Sequence, residues 1–358
     1  MKKVAIIGGG IVGSVAAFYL SKSGINVTLF DQSQGQATSA AVGIICPWVS
    51  QRRNKEWYQL VEKGADFYNE LISDLEQDDF YSKSGALLLH QNPEKLLKLA
   101  QSRTQAQDSM GHVSILAGEA LTQHLMDGVE IDQALHITGA ACVDGALMVK
   151  ALQEKSKSYG AEVIDKKVYL NSNLPKVIDG VEYDAVIGSS GAWINDVFED
   201  LNFDIDVYPQ KGQLIEFKNM FDVDAKHYPY IIPQGELDIM FDLRGSIIVG
   251  ASHEKEKGFD LSPDSAVAQR LYEEALEYLP FLEGKEYSSR VGTRAHSSDF
   301  NPFYGPVPGF KDIYAASALG SSGLTSGPLI GYRLAQAIIH DMDVELATDM
   351  SKYMKKRD

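Results

Sequence analysis

Apolar segments and glycines at the start of the chain predict a strand–helix–strand unit. Residues 4–7 are all apolar, and apolar side chains recur at helical spacing between positions 14 and 23. Gly24 can end this helix, and a second apolar segment at 27–30 leads into Asp31. The N-terminus is therefore predicted to form a βαβ unit of a parallel sheet.

The hydrophobic pattern changes twice further along the chain. Helices are predicted at 58–75, 93–109, 145–159, 262–279 and 328–340, and strands at 86–89, 162–164, 183–188 and 313–316. Short apolar segments separated by glycine and acidic turns predict an antiparallel sheet from about residue 207, with strands at 213–217, 230–233, 237–241 and 246–249. The basic end, 352–357, is expected to be a solvated helix face.

The order of these elements predicts an α/β fold with two domains. A chain of 358 residues exceeds the size at which a single core usually stops growing. We expect a discontinuous, Rossmann-like nucleotide-binding domain with an inserted α+β substrate domain built on the antiparallel sheet. The predicted division places 1–82, 138–207 and 289–358 in the first domain, and 83–137 and 208–288 in the second.

Composition limits the classes of partner. A formal net charge of -16 disfavours nucleic acid and anionic membranes as partners. No apolar run approaches the ~20 residues that span a bilayer, so no integral membrane contact is expected. Cys46 and Cys142 lie in no metal-ligand spacing, which predicts reduced thiols and no metal site. We expect a cytoplasmic protein, and homo-oligomerisation is left open.

The first glycine-rich turn has the spacing of a dinucleotide-binding motif. Gly8 allows a tight turn out of the strand, Gly10 lets the backbone approach a pyrophosphate, and Gly13 permits close packing of helix on strand. Asp31, at the end of the second strand, can accept ribose hydroxyls. G-x-G-x-x-G alone is weak evidence, but the strand before it, the helix after it and the acidic residue strengthen the prediction.

A second glycine-rich turn lies near the C-terminus, at 320–328. It also follows a strand and precedes a helix, so its amide groups could stabilise negative charge. In a flavoenzyme such charge develops on the N1/C2 side of the reduced isoalloxazine. An ordinary helix start with serine caps explains this turn alone equally well. The two turns together favour a large cofactor that contacts both ends of the chain.

Several blocks of sequence, in the same order, resemble the D-amino-acid oxidase/glycine oxidase superfamily of FAD-dependent amine oxidoreductases. Bacterial glycine-oxidase-like members are the most similar. Besides the first glycine motif, the blocks lie at 39–45, 191–193, 209–213, 230–233, 249–252, 258–260 and 294–305, ahead of the second glycine turn. The resemblance covers nearly the whole chain and implies the two-domain FAD-binding fold predicted above.

The resemblance also implies roles for particular residues. Arg294 would bind the substrate carboxylate, since Asp, Pro and Gly follow it at +5, +8 and +11; without the resemblance, a salt bridge to an acid such as Asp299 explains this arginine equally well. Tyr230 would hydrogen-bond the substrate or wall its pocket; a core tyrosine explains it equally well. FAD would be held by Gly8, Gly10, Ile11, Val12, Gly13, Asp31, Gln32, Ser39, Ala40, Gly43, Ile44, Val168, Ser190, Gly191, Trp193, Gly320, Ser322, Gly323, Leu324 and Thr325.

The implied reaction oxidises a small amino acid or amine. Hydride leaves the α-carbon for flavin N5, and neither His253 nor His296 is expected to be an essential base. No cysteine lies between positions 294 and 299, where sarcosine-oxidase-like relatives attach their flavin, so FAD is expected to be non-covalent. Those relatives also carry a lysine on the strand at 246–249, and this strand has none. The electron acceptor is therefore left open between O2 and a quinone.

Alternatives remain for the role of Cys46 and for the function of the whole chain. Cys46 is expected to be a buried structural thiol rather than a reactive one, and 46–48 to line or cover the active site. An NAD(P)-dependent dehydrogenase would explain the first glycine motif but not the second turn or the Arg294 block. A flavin-binding module without catalysis is the third alternative.

Overall fold

The computed structural model describes residues 1–104, 108–223 and 228–357. The helices of these parts are α1 Ile11–Lys22, α2 Ala37–Ala40, α3 Lys55–Leu75, α4 Pro93–Thr104, α5 Glu119–Thr122, α6 Gly145–Ser158, α7 Ile194–Val197, α8 Ser265–Leu276 and α9 Gly323–His340. The strands are β1 Lys3–Ile7, β2 Asn26–Asp31, β3 Ile44–Ile45, β4 Tyr81–Ser82, β5 Ala86–Leu88, β6 Val113–Ala117, β7 Gln133–Ile137, β8 Ala141–Val143, β9 Glu162–Asp165, β10 Val177–Ile178, β11 Val181–Glu182, β12 Ala185–Gly188, β13 Phe203–Ile205, β14 Tyr208–Phe217, β15 Tyr230–Ile232, β16 Asp238–Phe241, β17 Ile247–Gly250, β18 Ser288–His296, β19 Phe303–Pro306, β20 Ile313–Ser317 and β21 Met354–Lys356.

A six-stranded sheet confirms the predicted parallel α/β unit. Its order is β19-β20-β12-β1-β2-β9, and every neighbouring pair is parallel except β19 with β20 at one edge. Ile6 of β1 pairs with Ile187 and Leu29 on its two sides, and all three are fully buried. Because β1, β2 and β12 are parallel, their carboxyl ends meet at one edge, where such sheets bind ligands.

The second large sheet has eight strands, in the order β18-β14-β17-β16-β15-β5-β7-β6. It contains the short strands expected after residue 207, and its pairs are antiparallel except β15 with β5. One face is apolar and packs on α8, through residues such as Ile215, Ile239 and Leu271. The division into domains stays a prediction. The predicted boundary at 289 assigns nearly all of β18 to the nucleotide-binding domain, although this strand pairs with β14 in the larger sheet.

The last long helix begins five residues earlier than predicted. Proline at position 328 was expected to start it, but α9 begins at Gly323 and has Pro328 inside. Proline has no N–H for the carbonyl of Leu324, four residues earlier. The hydroxyl of Tyr68, fully buried on α3, donates to that carbonyl at 2.7 Å. A tertiary hydrogen bond thus replaces the missing helical one.

Other element ends also differ from the sequence predictions. The helix predicted at 93–109 is α4 up to Thr104, and residues 105–107 lie outside the described chain. The helix predicted at 262–279 is the shorter α8, whose start is capped by the Asp264 carboxylate. The basic end is not a helix face: β21 pairs there with β13. In the described residues no helix is long and apolar enough to cross a membrane.

Candidate functional site

A cavity of about 580 Å³ lies at the carboxyl edge of the six-stranded sheet and extends to the larger sheet. Its walls come from both ends of the chain, including the turns around Gly10 and Gly320. Its volume falls within the range of roughly 300–1,000 Å³ typical of ligand sites. The cavity therefore joins the two glycine-rich turns.

The three glycines of the first turn have the geometry that their spacing predicts. Gly8 has φ +107, and a Cβ on it would lie 2.5 Å from the carbonyl oxygen of Ser189. A Cβ on Gly13 would lie 1.9 Å from the Gly8 oxygen, so α1 could not approach β1 with any side chain there. A Cβ on Gly10 would meet only Thr38 Oγ1, at 3.4 Å, and would otherwise enter the cavity. Gly10 therefore leaves room for a ligand to approach the backbone.

The carboxylate of Asp31 stands at the end of β2, on the wall of the cavity. Its Oδ2 accepts hydrogen bonds from Ser33 N at 3.2 Å and Ser33 Oγ at 3.1 Å, and from Gln36 Nε2. These contacts fix the orientation of the carboxylate. Oδ1 has no such partner in the described structure, so it can accept ribose hydroxyls.

The second turn places the start of α9 on the same cavity. Gly320 has φ +56, and a Cβ on it would lie 2.8 Å from Cε1 of His296. Ser322 does not cap the helix, because its hydroxyl donates to the Leu319 carbonyl at 2.9 Å. Gly323 and Leu324 line the cavity. Uncapped amides at the helix start can therefore face negative charge on a ligand.

Arg294 reaches the cavity from β18, at the edge of the larger sheet. Its guanidinium passes over Gly212 of β14, where a Cβ would lie 2.9 Å from Nη1, and Nη1 donates to the Ser252 carbonyl at 2.8 Å. Within the described residues no carboxylate oxygen lies within 4.0 Å of the Arg294 guanidinium, the limit for an ion pair. Burial lowers the pKa of Arg294, and Asp238 and Glu236 oppose that shift. The guanidinium thus has donors available for an anionic ligand.

Asp238 lies on the opposite side of this region, at the start of β16, and lines the cavity. Burial raises the pKa of its carboxyl to about 7, although Arg294 acts in the other direction. His253, also on the wall, has a pKa lowered by burial and then by Arg294. Both titratable groups are therefore held in less charged forms than they would have in water.

The ring of His296 lies behind Gly320 rather than on the cavity wall. Its Nε2 is 3.0 Å from Oε1 of Gln210, and its Nδ1 is buried without a partner in the described residues. Burial lowers the pKa of this imidazole to about 4, with Arg294 the next cause. The neutral ring is held by Gln210 and packs against Gly320 of the second turn.

Tyr230 is placed behind the cavity, not on its wall. The ring is fully buried, and the hydroxyl donates to the Ile45 carbonyl at 3.1 Å. Cys46 lies beside it, and burial raises the pKa of its thiol to about 12. Neither residue lines the cavity, and neither do Pro47 and Trp48, so the segment 46–48 packs behind the cavity instead of facing it.

Most of the predicted cofactor residues line this cavity. They are Gly8, Gly10, Ile11, Val12, Asp31, Gln32, Ala40, Gly43, Ile44, Val168, Ser190, Gly191, Trp193, Gly320, Gly323 and Leu324, with Arg294 in the substrate region. Gly13, Ser39, Ser322 and Thr325 do not line it, and Gly13 acts through packing.

Other lining residues were not found from the sequence. Thr38 accepts the Ile11 amide at 3.2 Å and so supports the first turn, while Glu236 and Asp238 supply negative charge. No motif marks these positions. Asp238 could have been found only from the register that brings β16 beside β17.

The residues present fit an extended dinucleotide such as FAD. Gly10 leaves space for a pyrophosphate, Asp31 has an acceptor oxygen for ribose, and the cavity continues to the uncapped start of α9. Neither Cys46 nor Cys142 lines it, which agrees with non-covalent binding.

Comparisons with known proteins point in the same direction. The family model described as FAD dependent oxidoreductase (DAO) matches residues 3–337. Uncharacterized oxidoreductase YurR of Bacillus subtilis (strain 168) is 36% identical, over 95% of each chain. Glycine oxidase of Pseudomonas putida is 28% identical, over 91% of this chain and 92% of the relative. The crystal structure of iminodiacetate oxidase from Chelativorans sp. BNC1 matches with a TM-score of 0.89, at 29% identity over 98% of both chains.

Proposed function

Since the chain belongs to the FAD-dependent oxidoreductases of the DAO family, we propose that it oxidises a small amino acid to its imino acid. The substrate classes are glycine, a D-amino acid and an N-alkyl amino acid. Glycine oxidases and an iminodiacetate oxidase among the similar proteins support this range. Family membership does not support the alternatives of an NAD(P)-dependent dehydrogenase and a module without catalysis.

The observation that carries the proposal is the state of Arg294. Its guanidinium lines the cavity, has one hydrogen bond to a carbonyl and has no carboxylate at ion-pair distance in the described chain. A planar guanidinium binds a carboxylate through two parallel hydrogen bonds and so fixes the orientation of the α-carbon. FAD bound in the cavity supplies the acceptor, flavin N5, for the hydride that leaves that carbon.

The chain's own residues contribute the positioning of the substrate. Arg294 holds the carboxylate, while Gly212, which has no side chain, leaves room for the guanidinium. Phe259 and Trp193, whose ring centroids are 5.2 Å apart, also line the cavity. Positioning of this kind supplies much of the catalysis when no covalent chemistry by the protein is required.

The experiment is an anaerobic visible spectrum of the purified protein before and after addition of glycine, sarcosine, iminodiacetate and D-amino acids, each separately. Bleaching of the flavin band by one of them identifies the substrate class. A flavin band that none of them bleaches contradicts the proposal. The variant Arg294→Ala should retain flavin and need much higher substrate concentrations.

We propose O2 or a quinone as the electron acceptor. No lysine occurs on β17, at Ile247–Gly250, and Lys211 of the neighbouring β14 is buried with its Nζ bonded to the Ser262 carbonyl at 2.6 Å. Neither position therefore offers a lysine of the kind that assists oxygen in the sarcosine-oxidase-like proteins. Admission of air to the bleached enzyme tests this point, since rapid return of colour indicates an oxidase and slow return indicates another acceptor.

A further inference from the structure

Two opposite charges stand on the same face of the larger sheet, separated by glycines. Leu214 of β14 and Asp238 of β16 are both register partners of Gly250. Arg294 of β18 is the partner of Gln210, which lies four positions from Leu214 on β14 and so shares its face. Gly212, between them, has no side chain. The sheet therefore presents Arg294 and Asp238 to one space.

The two charged groups stand apart on the wall of one cavity. Arg294 and Asp238 act on each other electrostatically, yet they are not within 4.0 Å. Both line the cavity. The carboxylate of Asp238 has no hydrogen-bond partner among the described residues. An unpaired carboxylate on the wall of a ligand cavity has its acceptor capacity free for that ligand.

A ligand with charges complementary to Arg294 and Asp238 is a zwitterion. An α-amino acid whose carboxylate lies on Arg294 presents its ammonium toward a negative group, and Asp238 is that group. If hydride left the α-carbon while the nitrogen was still protonated, the product would carry one positive charge on carbon and a second on the adjacent nitrogen. The amine must therefore lose a proton before or during oxidation, and a carboxylate beside it can take that proton.

We propose that Asp238 accepts the proton of the substrate ammonium, an inference that rests on the proposed oxidation of an amino acid. The N–H bond breaks, its electron pair stays on nitrogen, and the proton forms an O–H bond with the Asp238 carboxylate. The products of this step are a neutral amine and a neutral carboxylic acid, with no change of oxidation state. Asp238 is thus a catalytic residue that sequence motifs do not mark.

The surroundings of Asp238 suit this exchange. Tyr230 of β15, which is fully buried, and the Cys46 thiol interact with it; both have raised pKa values, so both stay neutral. Arg294 is the only cation acting on it in the described structure, and Glu236 and His253 act on Arg294 from the same wall. With the pKa of the free carboxyl at about 7, both protonation states are accessible near neutral pH.

The first test uses acetate as a probe of Arg294 in the flavin-loaded protein. Acetate has a carboxylate and no amine, so ionised Asp238 should repel it. Its affinity, followed by the perturbation of the flavin spectrum, should fall about tenfold between pH 7 and pH 8.5 in the wild type. In Asp238→Asn it should not change with pH. A flat wild-type profile, or the same decrease in the variant, would overturn the proposal.

The second test is the rate of anaerobic flavin reduction by the best substrate between pH 6 and pH 10. Asp238→Asn should lose about 100-fold at pH 7, and should recover about tenfold per pH unit as the amine loses its proton to water. A merely structural defect would lower the rate equally at every pH, and that outcome would contradict the role. Flavin content and melting temperature report whether the variant has folded.

Glu236→Gln is the matched control, since it removes another carboxylate from the same wall. It should keep the pH dependence of the wild type; transfer of the effect to this variant would overturn the assignment to Asp238. If no amino acid reduces the wild-type flavin, the proposed function fails. If the wild type is reduced and Asp238→Asn has an unchanged profile, only the present inference fails.

Discussion

Gly212→Ala tests the position of Arg294 without altering its charge. The added Cβ would lie 2.9 Å from Nη1, 3.0 Å from Cζ and 3.1 Å from Nη2. These atoms are the end of a flexible side chain, so the guanidinium moves rather than the strand. It would then lose its 2.8 Å hydrogen bond to Ser252 and its orientation toward a substrate carboxylate.

The expected size of the effect follows from the bonds at risk. A hydrogen bond to a charged group contributes about 1.5–3 kcal/mol, and each 1.4 kcal/mol is a factor of ten. Gly212→Ala should therefore raise the KM for the amino acid roughly 10- to 100-fold. Flavin content should be unchanged, because the three atoms nearest to the added Cβ all belong to Arg294. Steady-state kinetics with the best substrate measure this.

A double-mutant cycle makes the test specific to Arg294. In the Arg294→Ala background, Gly212→Ala should add almost nothing, since the guanidinium that it displaces is absent. Additive effects of the two substitutions, or a wild-type KM for Gly212→Ala, would refute the argument that Arg294 binds the carboxylate from over this glycine. Arg294→Lys, which keeps the charge and removes the planar fork, should also raise KM.

Three further predictions concern the cofactor, the fold and pH. Asp31→Ala should weaken FAD binding about 10- to 100-fold, measured by flavin release on dilution, because ribose hydroxyls lose a charged acceptor. Tyr68→Phe leaves the buried Leu324 carbonyl without a donor, which should cost about 1–3 kcal/mol and lower the melting temperature by a few degrees, whereas the same change at exposed Tyr169 should not. Folding raises the pKa of Asp238 from 3.8 to about 7, so ionisation there costs stability as pH rises through this range. Asp238→Asn should therefore melt at a higher temperature than the wild type above pH 7, and the difference should disappear below about pH 4.

The cavity wall around the first glycine-rich turn could be predicted from the sequence, because each of its requirements is local. Gly8 and Gly13 are needed at fixed positions along the chain. Gly8 has a positive φ, and a Cβ on Gly13 would lie 1.9 Å from the Gly8 oxygen. Asp31 follows because it ends the neighbouring parallel strand. Such spacings can be recognised without knowing which distant segments pack together.

The start of α9 was predicted wrongly, and the choice between the two alternatives for Tyr230 could not be made, for the opposite reason. Pro328 is a strong helix-start residue when only neighbours are considered, and its place inside α9 depends on Tyr68, some 260 positions away in the chain. Tyr230 belongs to an apolar strand segment, and its hydroxyl finds a carbonyl at Ile45 rather than the cavity. Contacts between segments far apart in the chain determine both the start of α9 and the place of Tyr230, and no local sequence pattern predicts such contacts.

The substrate region is fixed by strand register more than by loops. Asp238 faces the cavity because it pairs with Gly250, while its neighbour Ile239 pairs with Val249 and is buried on the α8 side. A slip of one residue in β16 would turn Ile239 toward the cavity and bury a carboxylate on the apolar face, against α8. The apolar face of the larger sheet therefore holds the two charges in place, since a one-residue slip would bury Asp238 on the apolar side.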